Sequence, residues 1–96
     1  MKIIFEITDK SGRKIRLTEK QWSHIMKRHP SMKKYINEIQ DTIKMPFKIM
    51  DYPNSKGYYY RNYKHLKLPN RFILIVVKYL NGDGFVITAY QTNKIK

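Results

Sequence analysis

His24 and Arg28 stand one helical turn apart in the stretch Thr18-Glu19-Lys20-Gln21-Trp22-Ser23-His24-Ile25-Met26-Lys27-Arg28-His29-Pro30. Imidazole has an unperturbed pKa of about 6.5 and can give and take protons near neutrality. Guanidinium is a fixed cation shaped for phosphate oxygens. Together they point to chemistry on a phosphate. At about 100° per residue, Trp22, Ile25, Met26 and His29 fall on one narrow face, and His24 with Arg28 lies nearly opposite. The plain alternative is that the Trp22 side packs and the other side is simply solvated.

A second constellation is Gly57-Tyr58-Tyr59-Tyr60-Arg61-Asn62-Tyr63-Lys64-His65. It interleaves rings that stack on bases with cations that follow a phosphate backbone. In a strand, Tyr58 and Tyr60 point one way and Tyr59, Arg61 and Tyr63 the other, so at most half can meet a ligand. Tyr59, Tyr63 and Lys64, with Lys20, Lys27 and Lys78, are the candidate nucleic-acid contacts. Tyrosines are also good strand formers with one side in the core, and Lys78 can snorkel from the core side of its strand. Thr88 and Tyr90 share a later strand face, and each hydroxyl can donate to a phosphate oxygen or orient a nucleophile. His29 reads otherwise as a core or helix-end histidine favoured by the dipole, and His65 as a loop residue.

The elements that must hold these groups follow from pattern. Residues 2 to 8 and 13 to 17 are β-like around the turn Asp9-Lys10-Ser11-Gly12, so the chain opens with a hairpin. Thr18, with Gln21 three residues on, is a capping-box start for a first helix, and Pro30 ends it. Ser31 is expected to cap a second helix running to about Met45, with Met32, Tyr35, Ile36, Ile39 and Ile43 as its apolar stripe. Pro46 stops it. Extended segments follow at about 47 to 52, about 57 to 63, Phe72–Leu80 and Phe85–Gln91, the last two joined through Asn81-Gly82-Asp83-Gly84. Strict alternation predicts a helix-packed face of Phe72, Leu74, Val76, Leu80, Phe85, Ile87 and Ala89. It predicts a partly open face of Ile73, Ile75, Val77, Tyr79, Val86, Thr88 and Tyr90.

The chain of 96 residues suits one domain, 1 to 96, without repeats or linkers. Twenty Lys and Arg against seven Asp and Glu give a net charge of +13, which calls for a polyanionic partner. Nucleic acid outranks a membrane, because no basic helix is left with a free apolar side. A lysine-rich proteome is the competing explanation. With no cysteine and three histidines, disulfides, thiolate zinc sites and cysteine nucleophiles are excluded, and neither a dedicated metal site nor a cofactor is expected. The N-terminus is too quickly interrupted by charge for a signal peptide, so cytoplasmic residence is expected.

Leu17-Thr18, Trp22-Ser23-His24-Ile25, Arg28-His29-Pro30, Tyr58-Tyr59-Tyr60, Val76-Val77-Lys78 and Gly84-Phe85-Val86-Ile87-Thr88-Ala89-Tyr90 occur in one order. From about Arg16 to Ile95, this order resembles the phage-associated nuclease domains grouped with barnase, EndoU, colicin-type tRNases and RelE. The resemblance implies an α+β fold, here an N-terminal hairpin, two helices and an antiparallel sheet of about four strands. It also implies metal-independent RNA cleavage by attack of the ribose 2′-hydroxyl on the adjacent phosphate. Carried over by position, His24 is the first choice for proton transfer and Arg28 for phosphate binding. Thr88 and Tyr90 are the polar positions of the last strand, and Arg61 is a second cation. His29 matches the motif but shares the Trp22 face. The partner implied is RNA, and for a toxin also an acidic antitoxin or immunity protein. The rival readings are a non-catalytic RNA- or DNA-binding module and a phage accessory domain that binds protein.

Overall fold

The computed structural model describes residues 2–66 and 71–93. The final part of the family-like stretch, through Ile95, lies outside them. In chain order the elements are β1 (Ile3–Thr8), β2 (Lys14–Thr18), α1 (Glu19–Arg28), a 3-10 helix (Pro30–Tyr35), α2 (Ile36–Lys44), β3 (Lys48–Tyr52), β4 (Lys56–Asn62), β5 (Phe72–Leu80) and β6 (Asp83–Thr92). No helix among the described residues is long and apolar enough to cross a membrane.

Local chemistry sets the boundaries. Asp9 Oδ1 accepts from the N–H groups of Ser11 and Arg13, both at 2.9 Å, and Gly12 takes φ +90, which closes the β1–β2 turn. Thr18 caps α1 by accepting from Gln21 N at 3.2 Å. The rest of the capping box is not made, because the Gln21 side chain turns to the sheet instead. After His29 the chain forms a 3-10 helix with Pro30 at its first position, and α2 begins only at Ile36. Ser31 therefore lies inside the 3-10 segment and does not cap α2, correcting the expected single helix from Ser31. The β5–β6 turn is tighter than the four residues expected: Asn81 (φ 53) and Gly82 (φ 84) alone form it, in the mirror-image conformation that matches strand twist.

The described strands form one sheet in the order β1-β2-β6-β5-β4-β3. The antiparallel part expected from the sequence is β6-β5-β4-β3. The N-terminal hairpin is not separate, because β2 joins β6 in parallel through Ile15↔Gly84 and Arg16↔Phe85. The sheet is thus six-stranded and mixed. Gly84 belongs to this junction and not to a turn. A Cβ there would sit 2.6 Å from a terminal carbon of Ile15 and 2.7 Å from one of Val77, so the close approach of β2 requires glycine.

The helices cover the opposite sheet face from the one expected. Ile73, Ile75 and Val77 pack with Ile15, Leu17, Ile25, Met32, Ile39, Ile43, Tyr59, Val86 and Ala89, each apolar side chain of this kind contributing about 1.5–3 kcal/mol when fully buried. Leu74 and Val76 lie on the helix-free face with Tyr60, Tyr58, Phe72, Ile87 and Tyr90. Alternation failed because both faces of β5 are apolar, and because β6 carries a bulge. Val77 pairs with Val86 but Val76 pairs with Thr88, leaving Ile87 as the extra residue. Beyond the bulge, Ala89 turns under the helices, while Thr88 and Tyr90 turn to the helix-free face.

A buried polar chain ties the hairpin to the sheet: Tyr79 donates to Tyr59 Oη (3.0 Å), and Tyr59 donates to Asp9 Oδ2 (2.5 Å). Burial pushes the Asp9 carboxyl up, but hydrogen bonds from Tyr59, Ser11 and the Arg13 and Ser11 backbone outweigh it and hold the carboxyl below its ordinary value. A depressed carboxylate stabilises the fold above its unfolded-state pKa, and the effect is lost as pH falls through the folded value. Asp9→Asn should accordingly cost about 1–3 kcal/mol at pH 7. In urea titrations the gap from wild type should close as pH drops below about 4. Gly84→Ala should cost about 1–3 kcal/mol, as overpacking does, with the urea midpoint reporting it.

Candidate functional site

The site grows from the edge that β2 leaves uncovered. Since β2 pairs only with Gly84 and Phe85 of β6, the strand beyond them has its outer edge free for α1. Gln21 Nε2 donates to the Ile87 carbonyl at 2.5 Å, satisfying the bulge, and Ser31 Oγ donates to Gln91 Oε1 at 3.4 Å. These contacts lay α1 and the 3-10 helix along β6. At the bend between them, His29 leaves helical geometry (φ −134, ψ 75) while its N–H still reaches Ile25 O at 2.7 Å. Proline at position 30 disfavours α geometry in the residue before it. The bend carries the imidazole to Tyr90, where the rings stack with centroids 5.2 Å apart and planes 27° apart.

Tyr90 opens onto the helix-free face. Register aligns Thr88, Val76, Tyr58 and Met50 across four strands, and Tyr90, Leu74, Tyr60 and Lys48 in the next row. Leu74 and Val76 are only 1% and 6% exposed although no helix covers them, because the surrounding aromatic side chains roof them. Burial, reinforced by the neighbouring Tyr58, raises the Tyr90 phenol above its ordinary pKa. It is therefore a hydrogen-bond donor at neutral pH. Here an imidazole stacks on a phenol, and the Thr88 hydroxyl belongs to the same strand face two residues along β6. Such a set can transfer protons and bind a phosphate.

The other expected site residues divide. Gln21 faces β6, and on the helical period Arg28 lies about 20° and His24 about 60° from it. Both are exposed. His24 borders a shallow depression with Lys20, Ser23, Met26 and Lys27. Arg61 is not near Thr88 and Tyr90. It pairs with Ile73 on the helix-covered face, donates to Met45 O at 2.5 Å and lies over the Tyr63 ring at 5.6 Å.

Two of the expected base-stacking rings face the core. Tyr59 is fully buried under the helices, and Tyr63 donates to Glu38 O at 2.8 Å with Thr42 Oγ1 2.9 Å from its hydroxyl. The helices occupy the side on which a base would have to stack on these two rings. Lys64 is exposed, and His65 Nε2 sits 2.8 Å from Glu38 Oε2, away from Tyr90. Lys78 is on the helix-free face, where its ammonium donates to Asn54 O. From the sequence, Gln21 is read only as the capping-box partner of Thr18, and Tyr58 is not among the expected site residues. The parity of Tyr58 was readable, but which side of β4 stays open depends on β5, whose two faces are equally apolar.

Among the described residues no cluster of three or more His, Asp or Glu side chains could hold a metal ion. Neither the curated proteins nor the solved structures provide a match to the chain. The sequence model of one family does match it, over residues 5–96, and its description is phage-Barnase-EndoU-ColicinE5/D-RelE like nuclease2. That span takes in β2, the α1 motif with His29, and β6 with Thr88 and Tyr90, and the chain belongs to this family of nuclease-like domains.

Proposed function

We propose that the domain is a metal-independent endoribonuclease that binds RNA across the helix-free face of its sheet and cleaves it beside His29 and Tyr90. The observation that carries this reading is the stacked His29–Tyr90 pair, which brings an imidazole from the helical side to the hydroxyl-bearing face of β6. In the reaction His29 takes the proton of a ribose 2′-hydroxyl, and that oxygen bonds to the adjacent phosphorus. The P–O5′ bond breaks, and the 5′-oxygen takes a proton from the imidazolium or from water. The products are a 2′,3′-cyclic phosphate and a 5′-hydroxyl. Tyr90 and Thr88 donate hydrogen bonds to the phosphate oxygens as charge builds there, and Arg28 of α1 supplies a fixed positive charge.

The electrostatics support a polyanionic substrate. Glu6 and Asp83 are engaged with Arg16 (2.6 and 3.3 Å), Asp9 is buried, and Glu38 is held by His65. Much of the acidic charge is thus spent locally, and the +13 surface is left to attract phosphates. The same charge suits an acidic antitoxin or immunity protein as a protein partner of a toxin, with complementary fields accelerating association.

Incubation with end-labelled RNA in EDTA tests the reading. Wild type should yield cyclic-phosphate ends. His29→Ala should slow cleavage by about 10²–10⁴-fold, the usual worth of a general base, with RNA binding retained. Tyr90→Phe keeps the ring but removes the donor, and should cost on the order of 10²-fold. If His24→Ala abolishes cleavage and His29→Ala does not, proton transfer belongs to His24. RNA left intact by wild type, bound in a salt-dependent way, would make the domain a binding module.

A further inference from the structure

We propose that Tyr52 and Tyr58 form a stacking site for an unpaired RNA base, so that the substrate is single-stranded and runs across the sheet from β6 toward β3. This deepens the nuclease reading and rests on it for where the scissile phosphate lies. The two rings sit at 4.4 Å between centroids with planes at 51°. At that separation the two rings touch, tilted against each other and not stacked in parallel. Both are half-buried, so part of each remains exposed, on a side of the sheet without helices. The Tyr52 hydroxyl donates toward Met50 Sδ at 3.8 Å, which holds its ring over β3.

Register fixes how the tyrosine pair relates to the reactive groups. Thr88, Val76 and Tyr58 lie in one line across β6, β5 and β4. Two strand spacings of about 4.8 Å therefore separate the backbones of Thr88 and Tyr58 by about 10 Å, comparable with the reach of a nucleotide. Tyr52 pairs with Lys56, Lys56 with Lys78, and Lys48 with Tyr60, all on the helix-free face. The carboxylates that register puts on this face near β6, Glu6 and Asp83, are paired with Arg16 of the neighbouring β2. Lysines flanking two aromatic rings provide what an unpaired nucleotide needs, a π-surface for the base and charge for its backbone. A duplex, whose bases already stack on one another, offers no free base face to the tyrosine pair.

The test uses a 2′-O-methyl RNA oligonucleotide, which lacks the attacking hydroxyl, so binding is read without cleavage. Fluorescence anisotropy in EDTA at fixed salt should show Tyr52→Ala weakening single-strand binding by about 5- to 150-fold, the factor for ~1–3 kcal/mol of base stacking. Tyr52→Phe should bind like wild type. Tyr58→Leu, which keeps Val76 covered, should weaken binding in the same direction, with circular dichroism melts reporting that each variant is folded. Binding of the same sequence as a duplex should not change. Single-strand binding that survives both Tyr52→Ala and Tyr58→Leu, or losses equal for single strand and duplex, would overturn the proposal. If wild type leaves unmodified RNA uncut while Tyr52→Ala still loses single-strand affinity, the nuclease reading fails and the stacking site stands.

Discussion

The β6 bulge at Ile87 is the constraint on which the site depends. A regular β6 would keep Val86, Thr88 and Tyr90 on one face, and the Val77–Val86 pair would then draw both hydroxyl-bearing residues under the helices. The extra residue reverses parity: Val86 and Ala89 both face the helical core, while Thr88 and Tyr90 face outward. A bulge leaves a carbonyl out of the ladder, and Gln21 of α1 donates to that carbonyl. One hydrogen bond therefore both satisfies the irregularity and docks the helix that carries His29.

The rest of the architecture follows from that docking. The short β2–β6 pairing, held close by Gly84, ends soon enough to leave the outer edge of β6 to α1. Pro30 then ends α1 level with Tyr90, and the bend at His29 aims the imidazole around the sheet edge. An imidazole from the helical layer thus meets a phenol on the other side of a six-stranded sheet without crossing its core. The aromatic roof over Leu74 and Val76 keeps that face folded without a second layer of helices.

Much of this was legible in the residues. The hairpin around Asp9-Lys10-Ser11-Gly12, the Thr18 cap, the stop at Pro30 and the antiparallel strands follow from turn chemistry and capping. The resemblance set His24 with Thr88 and Tyr90, whereas the ring stacked on Tyr90 is that of His29. The identity of the stacked histidine was not readable, because His29 departs from the helical period at the bend. Nor was the covered face of β5 readable, since Leu74 and Val76 are as apolar as Ile73 and Ile75. The consequences for Tyr58, Tyr59 and Arg61 descend from that ambiguity of β5, while the β6 bulge, which sets Thr88 and Tyr90, leaves no mark in an alternation pattern.

The central claim is that His29 and Tyr90 act as a unit on one phosphodiester. A double-mutant cycle on single-turnover cleavage, with His29→Ala, Tyr90→Ala and the pair, tests it most directly, since residues that act together are non-additive. The account predicts that the double variant is about as slow as the slower single one. Losses that multiply, or two single variants that both cleave like wild type, would contradict it.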